Sequence, residues 1–185
     1  PHHGGGRGLF SAHRPALSER KRTMRDLTSL AGDAARLLKA RGETVAVSES
    51  STGGLISAAL LAVPGASAYF LGGGVIYTRP ARDHLLGVDF RDHPGMRSSS
   101  EPYAALAAAT MRAKLSATWG LAETGAAGPS GNRYGDPAGH TCLAVSGPRA
   151  ATRVLQTGLD DRENNMWLFT EHALALLVES LEAAA

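Results

Sequence analysis

The sequence predicts an α/β fold: a mostly parallel mixed sheet, covered by helices on both faces, with one antiparallel edge. Three observations carry this. Helical stripes alternate with short apolar runs along almost the whole chain. The runs are four to eight residues long and bounded by Gly, Pro, Ser and Thr, as buried strands of a parallel sheet are. The last two runs are separated only by the tight turn Gly147-Pro148-Arg149, which forces that pair antiparallel.

The elements follow in order. "DLTSLAGDAARLLKARG" carries Leu27, Leu30, Ala31, Ala34, Leu37 and Leu38 on one helical face and stops at Gly42. "TVAVSES" reads as a buried strand, "GGLISAALLAV" as a helix ending before Pro64-Gly65, and "AYFLGGGVIYT" as a strand loosened by Gly72 to Gly74. "RPARDHLLGV" is a short helix ending at Gly87, and residues 88–99 are a loop. The next helix is "SEPYAALAAATMRAKLSAT", with Ser99 or Ser100 as N-cap and Pro102 in its first turn. "WGLAETGAAGPSGNRYGDPAGH" starts as a strand and becomes a Gly/Pro loop. Two strands, "TCLAVSG" and "ATRVLQTG", precede a final helix in which Asp160 and Glu163 have capping-box spacing.

Composition narrows the function classes. With 43% hydrophobic and only 5% aromatic residues, the chain can bury a core, one built largely of small side chains. The net charge of +2 hides a split: residues 1–23 sum to +4 and the rest to −2, so the body has no charge signature of a nucleic-acid binder. Residues 1–23 read as an appendage (a tag, a leader or a disordered segment), with Met24 as a plausible start and residues 24–185 as one domain. The single cysteine, Cys142, sits in an apolar run. It fits a buried core position in a reducing, cytoplasmic setting, and neither it nor the histidines give metal-ligand spacing. No run approaches the roughly 20 apolar residues of a membrane-spanning helix.

Ligands of open α/β sheets bind beyond the carboxyl ends of the strands. Three unusual segments fall there. In Ser48–Gly54 the N–H groups of Ser51, Thr52, Gly53 and Gly54 lack intrahelical partners and could form an anion or oxyanion site, with Ser50 offering its hydroxyl. Ser50, Ser51 and Thr52 could equally cap the helix. In Thr124–Gly139, Thr124, Gly125 and Gly128 begin a loop able to wrap a phosphate, or a plain surface loop. In the third, Tyr77 ends a strand, and Arg79 and Arg82, three apart, could grip a phosphate or carboxylate or be solvated surface residues. His140, directly after the Gly-rich loop, is a candidate to face the same cleft, whereas His172 reads as packing.

These residues resemble a known family. "VAVSESSTGGLI" is similar to the AESCTGG signature of the CinA C-terminal-domain family, which includes nicotinamide-mononucleotide deamidases. "FLGGGVIYT" resembles that family's strand ending in Tyr-Ser-Asn, "ETGAAGPSG" its Ser-Gly-Ile-Ala-Gly-Pro-Gly-Gly, "DPAGHTCLAV" its Pro-Val-Gly-Thr strand and "LDDRENNMW" its Gly-Asp-Arg. The resemblance runs from about residue 27 to about 182. It implies a three-layer α/β/α sandwich, no metal or other cofactor, and a homo-oligomer. It also implies hydrolysis of the carboxamide of nicotinamide mononucleotide to nicotinic acid mononucleotide and ammonia. Ser50 falls at the family nucleophile, and Arg162 joins the Gly-rich loop as a phosphate and sugar contact.

The chain departs from the family at the base. Tyr-Ser-Asn-x-x-Lys is Tyr77-Thr78-Arg79-Pro80-Ala81-Arg82 here, so the catalytic lysine position is Arg82. A guanidinium can hold an anion or oxyanion, but with a pKa above ~12 it does not take the serine proton. His84 is the nearest substitute, turned about 200° away by the helical period. Two expectations follow: a serine amidohydrolase of the deamidase type, or a catalytically silent relative that binds a pyridine mononucleotide or another phosphoanion. Neither involves nucleic acid or a membrane.

Overall fold

The computed structural model describes residues 21–185; the expected appendage lies outside the described residues except for its last three positions. There Arg22 pairs with Glu171 of the last helix. The elements are α1 (Arg25–Arg41), β1 (Val45–Glu49), α2 (Leu55–Leu61), β2 (Phe70–Val75) and α3 (Arg79–Ala81), then α4 (Glu101–Leu115), β3 (Trp119–Ala126), β4 (His140–Ser146), β5 (Ala151–Gln156) and α5 (Arg162–Ala183). Single 3₁₀ turns lie at Ala66–Ala68 and Phe90–Asp92.

Local chemistry sets the helix ends. Gly42, at φ 62°, closes α1 by donating its N–H to the carbonyls of Leu38 and Lys39. Ser100 caps α4, accepting from Tyr103 N–H, with Pro102 in the first turn. The cap of α5 lies one residue later than the Asp160/Glu163 spacing predicts: Asp161 accepts from Asn164 N–H at 3.0 Å. After α3, Arg82–Leu86 winds as a π-helical turn closed by Gly87 at φ 76°.

The sheet order is β2-β1-β3-β4-β5. β2, β1 and β3 are parallel; β4 is antiparallel to both β3 and β5. The predicted antiparallel edge is therefore the β4–β5 hairpin. Strand alternation sorts side chains by size. Val45, Val47, Trp119, Leu121, Leu143 and Val145 pack under α1, α2 and α5. Ala46, Ala122, Cys142 and Ala144 face α4, which answers with Ala104, Ala107 and Ala108. Small residues on both sides bring α4 close to the sheet: a Cβ at Gly120 would meet the Ala108 carbonyl at 2.0 Å. This is the three-layer α/β/α sandwich, with a large-residue layer and a small-residue layer.

From β1 the chain moves to β2 on one side over α2, then returns past β1 to β3 by way of α4. The order reverses between β1 and β3, and such switch points open a crevice at the strand ends. Ser50 follows β1 directly at that crevice.

Candidate functional site

Two buried carboxylates build the turn after β1. Glu49 and Glu123 are 0% and 2% exposed. Glu49 accepts from the N–H groups of Gly54, Ile56 and Ser57 at 2.9–3.1 Å and from the Thr52 hydroxyl at 2.8 Å. Glu123 accepts from Ser50 N–H at 3.1 Å, Thr52 N–H at 2.9 Å, Ser51 Oγ at 2.6 Å and Thr141 Oγ1 at 2.8 Å. The Thr52 hydroxyl also lies 3.0 Å from Glu123, so Glu49 has four donor contacts and Glu123 five, which offsets the cost of removing each charge from water. The β-strand parity that carries Val47 and Leu121 under α2 also carries Glu49 and Glu123 there.

This arrangement corrects the expected backbone site. Thr52 N–H and Gly54 N–H donate inward to the two carboxylates, and Gly53 N–H donates to the Ser50 carbonyl. Of the four N–H groups only that of Ser51 has no acceptor among the described residues. Thr52, Gly53 and Gly54 do not line the cleft. Nor do the hydroxyls of Ser50, Ser51 and Thr52 cap α2: its N-cap is Gly54, with no side-chain cap bond, and Glu49 holds the Ile56 and Ser57 N–H groups instead. The signal for it was present: an acid at the end of each of two apolar strands.

The opposite parity builds the opposite wall. Thr124 Oγ1 accepts from Ser99 N–H at 3.0 Å, and His140 Nε2 donates to the Ser99 carbonyl at 2.9 Å. His140 Nδ1 lies 2.7 Å from Gln156 Nε2, which holds the ring from its other side. Ser99 is held at φ 54°, a conformation that non-glycine residues adopt at a cost, and lines the cleft with Ser98. His140 is buried behind this wall, does not line the cleft, and acts as a positioning residue. The Ser98-Ser99-Ser100 run gave no sequence signal for the Ser99 bend.

Between the walls runs a cleft of two lobes. The larger, about 260 Å³, is lined by Ser50, Arg79, Arg82, Tyr103 and Arg133, among others. The smaller, about 170 Å³, is lined by Ser51, Gly128, Ser130, Gly131 and Arg162. Tyr77, Gly125 and Asn132 belong to both, and Thr124 lines the larger. The three segments singled out in the sequence therefore meet in one place. Together the lobes reach the range of small-ligand sites, roughly 300–1,000 Å³. No Asp or Glu lines either lobe.

The smaller lobe is rich in donors. The N–H groups of Ala127, Gly128, Ser130 and Gly131 donate to no acceptor among the described residues. Arg162 spans the rim, donating from Nη1 to Gly128 O at 2.6 Å and from Nη2 to Tyr77 Oη at 2.9 Å. Glycine is required nearby: a Cβ at Gly125 would lie 2.5 Å from Thr141 Oγ1 and 2.6 Å from His140 O. The loop beyond is tied by Asp136, which accepts from Arg97 and from Asn132, each at 2.8 Å. Burial raises the Asp136 carboxyl, but these hydrogen bonds and the charges of His140 and Arg97 outweigh it and hold the group below its usual range.

In the larger lobe Arg82 lies with its guanidinium carbon 3.4 Å from the Phe90 ring centroid. Burial pushes the Tyr103 hydroxyl up to about 12, against the pull of Arg82. Ser50 Oγ makes no hydrogen bond among the described residues, and neither a carboxylate, a histidine nor a lysine lines its lobe. His84, the substitute base considered from the sequence, is exposed and outside the lining. Sequence reasoning did not find Arg133, Tyr103, Ser99 or Phe90. Among the described residues no group of three His, Cys, Asp or Glu side chains could hold a metal ion. No helix there is long and apolar enough to cross a membrane.

A three-layer sandwich with a cleft at the β1/β3 switch point defines a class of α/β ligand-binding domains, and comparison with known proteins specifies the family. The family model described as CinA C-terminal domain matches residues 27–181. A CinA-like protein of Gloeobacter violaceus is 39% identical over 155 residues, covering 82% of this chain and 36% of that protein. One from an Anaeromyxobacter strain is 41% identical over 140 residues, covering 76% and 34%. A CinA superfamily protein from Klebsiella pneumoniae has a solved structure that superposes with TM-score 0.79 at 28% identity, covering 85% of this chain and 98% of that one. The competence/damage inducible protein of Agrobacterium tumefaciens gives TM-score 0.78 at 29% identity, covering 85% and 96%. The chain belongs to the CinA C-terminal domain family. It spans about a third of the length of these curated relatives and nearly all of the solved ones.

Proposed function

We propose that the cleft binds a small phosphorylated ligand of pyridine-mononucleotide size and holds it without efficient hydrolysis. The observation that carries this is the cleft's charge. Arg79, Arg82, Arg133 and Arg162 line it, no acid does, and undonated backbone N–H groups of the Gly-Pro loop line the end beside Arg162. Such donors suit a phosphate, with Arg162 supplying charge at the same end. Tyr77, between the lobes, offers a ring edge and hydroxyl to the ligand's middle.

A second reading, amide hydrolysis of the nicotinamide-mononucleotide type, is favoured by one observation. The Ser50 hydroxyl is unbonded in the cleft beside the free Ser51 N–H, as a nucleophile beside an oxyanion donor would be. Against it stands the proton. Ser50 must lose one to become a competent nucleophile, and the guanidinium of Arg82 cannot accept it. The homo-oligomer implied by family resemblance belongs with these proposals.

Isothermal titration with nicotinamide mononucleotide, alongside an ammonia assay, separates the readings. The proposal expects binding that weakens in Arg162→Gln and no ammonia above the buffer rate. Absence of binding contradicts it, and ammonia release that vanishes in Ser50→Ala establishes the second reading.

A further inference from the structure

The larger lobe carries more positive charge than a neutral carboxamide can meet. Arg79, Arg82 and Arg133 all line it. The acid paired with them is Asp83, which lies 3.5 Å from Arg79 Nε and 3.6 Å from Arg82 Nε, outside the lining. Two guanidinium groups thus share one carboxylate, and the third, Arg133, donates to the neutral Tyr134 hydroxyl. Arg82 is the most committed of the three: its side chain is 12% exposed, and its Nε is buried without a hydrogen bond. Its seat on the Phe90 ring and the π-helical turn that starts at Arg82 fix the group in the lobe. The same three arginines also line an adjoining cavity of about 340 Å³, where the one acid, Asp89, is already taken by Arg91 at 2.7 Å.

We infer that the preferred ligand carries two separated anionic groups, a phosphate in the Gly-Pro lobe and a second oxyanion, carboxylate or phosphate, in the arginine lobe. This deepens the binding reading above and rests on it. A neutral group in the arginine lobe would displace water from three cations without compensating them, a net loss. An oxyanion supplies lone pairs to Arg82 and Arg133 and cancels the excess charge. Specificity then lies in the lobe where Ser50 sits: ligands ending in an amide are the weak binders, and their acids the strong ones.

The test uses two matched pairs of probes on the full chain at low salt. Nicotinic acid mononucleotide against nicotinamide mononucleotide changes only the charge of the ring substituent. Ribose 1,5-bisphosphate against ribose 5-phosphate adds a second phosphate. The expected result is at least a roughly tenfold tighter Kd for the member of one pair that carries two anionic groups. The pair that shows it identifies the second group as carboxylate or phosphate. The advantage should collapse to near unity in Arg82→Gln/Arg133→Gln, and shrink with added salt. A retained melting temperature shows that the variant is folded, and the ratio of the two affinities within a pair, rather than either affinity alone, is the readout. Equal affinities within both pairs overturn the inference and leave the binding reading standing. If none of the four probes binds, both fall.

Discussion

Arg162 Nη2 donates to Tyr77 Oη at 2.9 Å, joining the first turn of α5 to the residue that divides the two lobes, 85 positions away in the chain. The same guanidinium holds Gly128 O through Nη1. One side chain therefore sets the spacing between the Gly-Pro loop and Tyr77. Tyr77→Phe and Arg162→Gln should each weaken mononucleotide binding. A double-mutant cycle by titration calorimetry should show coupling of about 0.5–3 kcal/mol. Strict additivity would show that the two do not act as one unit.

Glu123 is the support under Ser50 and Ser51. Replacing it by Gln puts an amide N–H₂ among hydroxyl and N–H donors at a position only 2% exposed. We expect Glu123→Gln to lose about 2–4 kcal/mol in urea unfolding, while Ser51→Ala, which removes one donor, loses about 1 kcal/mol. A Glu123→Gln variant as stable as the parent would mean that the carboxylate does not organise this turn.

Cys142 packs between the sheet and α4, 1% exposed, where burial first and the charges of Glu101 and Asp136 next push its thiol up to about 12. The thiolate is the reactive form. At pH 8 the folded protein should therefore react negligibly with iodoacetamide, and react at the rate of a free thiol once unfolded in guanidinium. Rapid modification of the folded chain would contradict this packing.

Asp136 links folding to pH. Its folded-state value lies below the ordinary 3.8, so it binds its proton more weakly in the fold than in the unfolded chain. Its stabilisation is therefore complete above pH 3.8 and is lost as the pH falls through the lowered value. Asp136→Asn should be less stable than the parent at pH 7, and the difference should narrow steadily below pH 4 in thermal melts. A constant difference across that range would assign the loss to shape rather than charge.

Much of the fold is legible in the sequence because its signals are local. The stripe of α1, the Ser100–Pro102 start of α4 and the Gly147-Pro148-Arg149 turn each depend on neighbours in the chain. The assembly of Ser50, Arg82 and Gly128 into one cleft was legible through a rule about strand ends rather than through any single motif. What escaped was non-local. Glu49 and Glu123 look like ordinary polar residues until strand parity aims both at one turn, and that aim removes the N–H groups of Thr52 and Gly54 from any ligand. Arg133 lies in a loop folded back by Asn132 and Asp136, whose pairing with Arg97 no spacing announces. The strained Ser99 depends on Thr124 and His140, which lie 25 and 41 positions away.

The central claim is that this cleft holds its ligand without turning it over, because a guanidinium stands where the proton acceptor is needed. The most direct measurement is ammonia release from nicotinamide mononucleotide over long incubation, read for the parent chain and for Arg82→Lys. The account predicts none from the parent and measurable release from Arg82→Lys, lost again when Ser50→Ala is added. Steady release by the parent chain that Ser50→Ala abolishes would contradict it.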